Sequence, residues 1–499
     1  MIISKKQTVY LLAAILLLGA FLRFYNLAGE SFWLDEGTTG MTIKKYDALG
    51  ILNNVIEKGQ TLPDYYSQGK YTYDEDLPLY YMILRWWANI FGFDEFSLRS
   101  FSAIFGILSI GAVFYLARYL FDERIGLLAA LFSSINLTLI WYSQEARQYS
   151  YLLFLSLLSV IFLVRALREK KVSFFIGLII VNAFIIYSHL PWLIFITFEG
   201  IYALYILYQE YKAKKVLDKK IIIAFLILGL MHLPIIGRAL FSQAQYASLF
   251  GRPSISSVAE FGVMLSTWLY PSVSMREKIL SSSFFDLSFS EWALFISVIL
   301  IALLVGILFI IGAWSSFKKR DNSSIFILLF FFFPFLFALL LSIIHPTITV
   351  FMIRQLIYLI PAYLIIAAIG CLRLKWSKIV IALIVILSIM PLYAYYANVD
   401  KQEFREAVKY IPPDEKLFLS IETAQVVFQY YSGEKENVIG VEDLNDLKSK
   451  VGDVQSFWVL LTFTKYSDPD NSIRHYLDKN YNLIEKKSFF DMEVLHYRK

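Results

Sequence analysis

At 499 residues, 58% of them hydrophobic and only 17% charged, the chain is too apolar for a soluble protein of its size and reads as a polytopic membrane protein. Its formal charge of +5 is distributed through short loops as a topology signal and gives no case for a nucleic-acid partner. The single cysteine, Cys371, excludes an internal disulfide and any cysteine-based metal cluster, while the 33 Tyr, 43 Phe and 10 Trp suit helix ends lying in two interfacial belts.

In chain order, the first apolar window, 8–25, has a long core and no small-residue cleavage site after it, so it is expected to be a retained helix and not a secretory signal. A large loop, 26–97, follows. It opens with ESFWLDEG (30–37), which places Asp35 and Glu36 just beyond the end of a span, where a carboxylate pair suggests a functional site. Helical apolar spacing over 42–58 and 79–91 predicts two helices in the interfacial plane, the second anchored by Trp86 and Trp87. Between them, 62–81 is rich in Tyr and carboxylates; it reads as a binding surface for something hydroxylated, with a solvated loop as the alternative.

Further windows of about 17–25 residues, long enough to cross a bilayer, lie near 98–120, 125–141, 149–166, 172–189, 191–208, 220–240, 291–314, 324–344, 350–371 and 378–396. With the first, that predicts about eleven spans over a transmembrane domain of 1–397. Lys and Arg fall in every second loop, from Lys5 and Lys6 through 118–124, 165–171, 212–220, 318–320 and 373–378. This predicts a cytoplasmic N-terminus. The opposite loops, which carry Asp35, Glu36, Asp76, Glu145, His189 and His345, then face outward, as does the tail after an odd number of spans.

The tail, 398–499, turns polar at 400–406. Helical and apolar stretches alternate: helix 402–410, strand 417–421, helix 424–431, strand 438–441, helix 444–450, strand 457–463 and helix 472–479, closed by strand-like runs at 483–490 and 492–497. The pattern predicts a small α/β domain outside the cytoplasm with a mostly parallel sheet. No glycine-rich phosphate loop accompanies it, so a structural or acceptor-presenting role is expected.

The order LRFYNLAGESFWLDEG, DLPLYY (76–81), FDEFSLRSFSAIFG (93–106), YSQEARQYS (142–150) and IRQLIYLIPAY (353–363) resembles the dolichyl-phosphate-mannose protein mannosyltransferases and their bacterial relatives, including the lipid A aminoarabinose transferases. All are C-type superfamily glycosyltransferases. The resemblance covers about 1–396 and is strongest over 20–150. It implies a multi-pass plasma-membrane enzyme that moves a sugar from a polyprenyl-phosphate carrier to an acceptor protein, lipid or glycan on the outer face, with inversion at the anomeric carbon. The family's catalytic acidic pair falls on Asp35 and Glu36. Where the family usually has His-Pro-Pro-Leu or Lys-Pro-Pro-Leu, this chain has Asp76 before Leu77 and Pro78, a carboxylate in place of a basic group.

Chemistry leads to the same roles. An attacking hydroxyl needs a base, and a departing lipid phosphate is already a stable anion that needs cations and not a general acid. Asp35 is therefore read as the base, with Glu36 positioning the acceptor or the base; helix capping or an interfacial salt bridge is the alternative. Arg354 is the first candidate for the phosphate, because a guanidinium can grip it through paired hydrogen bonds. Arg147 and Arg23 are further candidates, against snorkelling for Arg354 and pairing with Glu145 for Arg147. Asp76, Glu145, His189 and His345 are placed near the acceptor or behind these groups. Several of them could converge on a divalent metal, so no cofactor is assigned and the metal stays open. A lipid-linked oligosaccharide transferase, a transporter and a noncatalytic scaffold are the competing readings. Transporters favour midplane charges and repeated halves, whereas here the notable charges sit at span ends.

Overall fold

The structure, a computed structural model, describes residues 4–57, 77–215, 217–241, 253–269, 275, 278–279, 284–345, 350–452 and 454–499. The chain divides into two compact units, one of Met1–Tyr25, Glu75–Tyr80 and Ser100–Asn398, the other of Asn26–Asp74, Tyr81–Arg99 and Val399–Lys499.

The helices before the tail are α1 (Lys5–Phe24), α2 (Leu34–Lys45), α3 (Ala48–Glu57), α4 (Pro78–Phe91), α5 (Glu95–Leu120), α6 (Glu123–Ile135), α7 (Leu137–Ser143), α8 (Tyr149–Glu169), α9 (Val172–Ile186), α10 (Leu193–Lys214), α11 (Lys219–Phe241), α12 (Ile255–Ser266), α13 (Phe289–Lys319), α14 (Asn322–Ile344), α15 (Leu359–Cys371) and α16 (Ser377–Ala397). Among the described residues, seven helical stretches are long and apolar enough to cross a membrane, or eight if the bent α6–α7 pair is one span. The protein is a multi-span helical membrane protein. The windows expected at 172–189 and 350–371 fall on shorter apolar helices, α9 and α15.

The window 125–141 is not one straight span. It bends by 62° at Asn136, which closes α6 and caps α7. The Asn136 side-chain oxygen accepts from the Leu139 N–H at 3.0 Å, and its amide donates to the carbonyls of Leu265 and Ser266 at 3.1 and 3.0 Å. A side chain that satisfies the freed backbone of one break and the last carbonyls of α12 makes such a kink stable in an apolar setting. Helix α15 is buried along its whole length, as expected of a helix that is apolar all round. It crosses α13 backbone to backbone where Gly312 meets Ile366 and Gly370 meets Leu308, with no room for a Cβ at either glycine. Gly312→Val should therefore destabilise the purified protein by about 3 kcal/mol through overpacking, seen as a lowered thermal midpoint; an unchanged midpoint would show that the crossing can open without cost.

In the second unit, the single helix expected over 42–58 is two, α2 and α3, parted at Tyr46 and Asp47, where the Asp47 side chain accepts from the Gly50 N–H at 2.6 Å. The tail contains α17 (Phe404–Tyr410), β1 (Leu417–Leu419), α18 (Glu422–Ser432), β2 (Val438–Gly440), α19 (Leu444–Val451), β3 (Ser456–Thr462), α20 (Thr464–Ser467), α21 (Ser472–Asn480), β4 (Asn482–Phe489) and β5 (Met492–Arg498). Its sheet runs β2-β1-β3-β5-β4 and is mixed, with β1 parallel to β2 and β3, and β5 antiparallel to β3 and β4. The antiparallel half arises because β4 and β5 form a tight hairpin turned at Asp491, whose φ is +51°. Phe404, Val427, Phe428, Leu419 and Leu460 build the core on one face of the sheet, and Phe418, Leu447, Val459, Leu461 and Leu477 build it on the other. Leu34 of α2 packs against the first of these cores.

Candidate active site

Helix α2 begins after Trp33, which offers no side-chain cap, and its first turn lies at the positive end of the helix dipole. Asp35 and Glu36 occupy that turn, and the 100° step between successive helical residues separates them. Asp35 is half-buried, whereas Glu36 is fully buried.

Glu36 is held by two cations. Arg99 donates from Nε and Nη2 to its two oxygens at 2.8 and 2.7 Å, and Lys401 Nζ lies 3.2 Å from Oε2. Paired parallel bonds of this kind fix direction as well as charge. Arg99 also donates to the carbonyls of Leu27, Glu30 and Ser31 at 2.8–3.0 Å, so one guanidinium organises the backbone leading into α2. The tail holds the same segment. Ser31 Oγ donates to the Gln402 carbonyl at 2.6 Å, the Asp400 N–H donates to Glu30 at 2.5 Å, and Arg405 Nη2 donates to the Gly29 carbonyl at 2.9 Å. The Tyr431 hydroxyl accepts from the Phe32 N–H at 2.7 Å and donates to Glu95 at 2.8 Å. Burial, then the neighbouring Glu95 charge, push this phenol above its usual range and keep it a neutral donor. Helix α18 packs on α2 through small residues: a Cβ at Gly37 would collide with Val427, and one at Gly40 would lie 2.9 Å from the Tyr430 ring.

The first unit contains a separate polar cluster. Residues 144–148 join α7 to α8 as a buried turn. In it Glu145 accepts from Trp141 Nε1 at 2.8 Å, and Trp141 stacks on Trp268 at 4.5 Å. Gln148 approaches His189 Nδ1 at 3.4 Å, and Gln355 approaches His189 Nε2 at 2.6 Å. The residues that follow Arg147 and Arg354 thus meet on one buried imidazole, which brings together the two turns that carry candidate cations. Arg147 lies over the Tyr149 ring at 6.0 Å, and Arg354 is half-buried. Leu77 and Leu79 donate backbone bonds to the carbonyls of Ser188 and Tyr187, docking the end of the DLPL motif beside His189.

Arg23 is placed differently. Its guanidinium is 1% exposed and donates at 3.2 Å to Ser143 Oγ and to the carbonyls of Gly19, Ser133 and Ser134, where it holds the α6–α7 bend. His345 is exposed and ends α14, its N–H donating to Leu341. Asp76 lies outside the described residues. Among the described residues no group of three or more His, Cys, Asp or Glu side chains gathers to hold a metal.

Arg99, Lys401, Gln148 and Gln355 were not singled out by the sequence. Arg99, Gln148 and Gln355 lie inside the quoted motifs, which was the available signal; Lys401 had none beyond the charged opening of the tail.

Over residues 76–236 the chain matches the family model described as dolichyl-phosphate-mannose-protein mannosyltransferase. No protein of curated function matches it in sequence. Among solved structures it resembles ArnT from Cupriavidus metallidurans in the apo state, at 11% identity and a TM-score of 0.57 over 98% of this chain and 97% of that one. ArnT bound to undecaprenyl phosphate gives 11% and 0.55 over 99% and 98%. The oligosaccharyltransferase AglB from Archaeoglobus fulgidus, in complex with an inhibitory peptide and a dolichol-phosphate, gives 12% and 0.55 over 98% of this chain and 74% of that one. The fold expected from the motifs, that of the C-type superfamily with a small α/β tail, is thus borne out.

Proposed function

We propose that this chain, which has the fold of the C-type membrane glycosyltransferases and matches the mannosyltransferase family model over 76–236, is a glycosyltransferase using a polyprenyl-phosphate-linked monosaccharide and a hydroxyl acceptor. The observation that carries this reading is the division of the acidic pair. Glu36 has both oxygens held by buried cations, while Asp35, on the same turn, is half-exposed at a fixed place. A carboxylate set on a rigid turn is suited to take a proton. The ligands of the similar structures, undecaprenyl phosphate and dolichol-phosphate, are both polyprenyl monophosphates and support that donor class.

On this reading Asp35 removes the acceptor hydroxyl proton as the oxygen attacks the anomeric carbon. The sugar–phosphate bond breaks, and the lipid phosphate leaves as a stable anion. Displacement from the opposite face inverts the anomeric centre. His189, held by Gln148 and Gln355, orients the arginine-bearing turns, and Glu145 fixes Trp141. Arg23 serves the α6–α7 bend, and His345 serves its helix end. The N-terminus is cytoplasmic and the LDEG turn lies outside the plasma membrane, as the loop charges suggest.

The test is transfer of radiolabelled sugar from undecaprenyl-phosphate mannose, glucose, galactose and aminosugars in membranes containing the chain. Label reaching any acceptor above empty membranes names the sugar and supports the reading. No consumption of any of them would instead favour an oligosaccharide donor. Arg354→Leu should weaken undecaprenyl phosphate binding by about 10-fold or more through loss of a charge-assisted bond; unaltered binding would remove Arg354 from the phosphate site.

A further inference from the structure

We infer that Lys401, from the tail, is a positioning residue for the reaction: it holds Glu36 together with Arg99 and so fixes the turn that presents Asp35. The inference rests on the reading of Asp35 as the base.

Lys401 is 3% exposed and its Nζ lies 3.2 Å from Glu36 Oε2, the oxygen that also receives Arg99 Nη2. A lysine is rarely buried without a specific partner. Arg99 by itself already neutralises Glu36, so charge balance does not call for a second cation. What Lys401 adds is direction: Arg99 grips the carboxylate through its fork, and a second contact on one oxygen resists rotation of the side chain within that fork. The flanking contacts also come from the tail. Gln402 receives Ser31 Oγ, the Asp400 N–H reaches Glu30, and α18 closes on Gly37 and Gly40. The start of the tail thus belongs to the support of α2, a role distinct from presenting an acceptor. Because Glu36 and Asp35 are adjacent on one helical turn, freedom at Glu36 becomes displacement at Asp35.

Full-length wild type, Lys401→Met and Lys401→Arg, reconstituted in lipid nanodiscs, provide the test. Amide hydrogen exchange over 33–39 should quicken about 10-fold in Lys401→Met and return toward wild type in Lys401→Arg, with the thermal midpoint nearly constant, because local opening is separable from global unfolding. With the undecaprenyl-phosphate sugar that the wild type consumes, kcat should fall about 10- to 100-fold at unchanged KM, the effect of a base displaced by about 1 Å. Unaltered exchange and kcat in a folded Lys401→Met protein would overturn the inference, and so would a change confined to KM, which would make Lys401 a donor contact. If the wild type transfers none of the sugars, the exchange arm alone decides the clamp, and the failure belongs to the proposed function. Should Lys401→Met not fold, Glu36→Gln must show the same quickened exchange for the clamp to stand.

Discussion

Asp35→Asn should reduce sugar transfer by about 1,000-fold or more while undecaprenyl phosphate still binds, because general-base catalysis contributes about 10²–10⁴ and an amide cannot accept the acceptor's proton. The substitution is nearly isosteric and the side chain is half-buried in the first turn of α2, so the helix should keep its length and the protein its stability. The amide loses the negative charge that suits the helix N-terminus, an effect of about 0.3–1 kcal/mol, too small to account for a thousandfold loss. Binding and turnover must be read on the same preparation. Unchanged transfer in Asp35→Asn would remove the base and with it the proposed mechanism, whereas loss of transfer together with loss of lipid binding would point to a phosphate site disturbed by the change. Asp35→Glu discriminates further, since it keeps the base but moves it by one methylene, and a residual activity between the two is the expected result.

Long apolar runs reveal themselves in sequence because a membrane leaves the backbone few alternatives to helix, and the predicted windows fall largely on helices, 350–371 only from Leu359 onward. The tail was legible for a related reason, since its strands and helices bury alternate and every third or fourth residue against one sheet. The mixed order of that sheet was not legible: the runs at 483–490 and 492–497 give strand content, and the direction is set by the turn at Asp491. The bend at Asn136 sits within an unbroken apolar window and becomes visible only through the carbonyls of Leu265 and Ser266 that the asparagine meets.

The site was legible to a smaller degree. Asp35 and Glu36 stood out as charges, but the helix that carries them did not, since LDEGTTGMT contains two glycines and three threonines and lacks a side-chain cap. Local propensity argues against helix there. Packing of Gly37 and Gly40 on α18 provides the support, and that contact belongs to residues far along the chain. The partners of Glu36 lie 63 and 365 positions away, a pairing that no local pattern encodes. Arg23 illustrates the converse. Its place near the end of a span invited a ligand role, and only the carbonyls around the α6–α7 bend reveal what it binds.

Arg99 is expected to be the position least tolerant of change. Arg99→Met would take the two-bond grip from the buried Glu36 carboxylate, leaving Lys401 beside it, and would strip donors from the carbonyls of Leu27, Glu30 and Ser31. Removing one member of a buried ion pair costs about 3–5 kcal/mol, a large share of the stability of an ordinary fold. The expected outcome is failure to recover a monodisperse protein after extraction, or a thermal midpoint lowered by many degrees. Arg99→Lys should be intermediate, because an ammonium keeps the charge but cannot reproduce the two-bond grip and the three carbonyl contacts together. Glu36→Gln should also be costly, since it leaves Arg99 and Lys401 buried without their shared counter-charge and turns an amide NH2 toward an Arg99 donor. That Arg99→Met is more damaging than Arg99→Lys follows from hydrogen-bond count. An Arg99→Met protein as stable as wild type would mean that water or another cation reaches Glu36, and the buried clamp around the acidic turn would lose its physical basis.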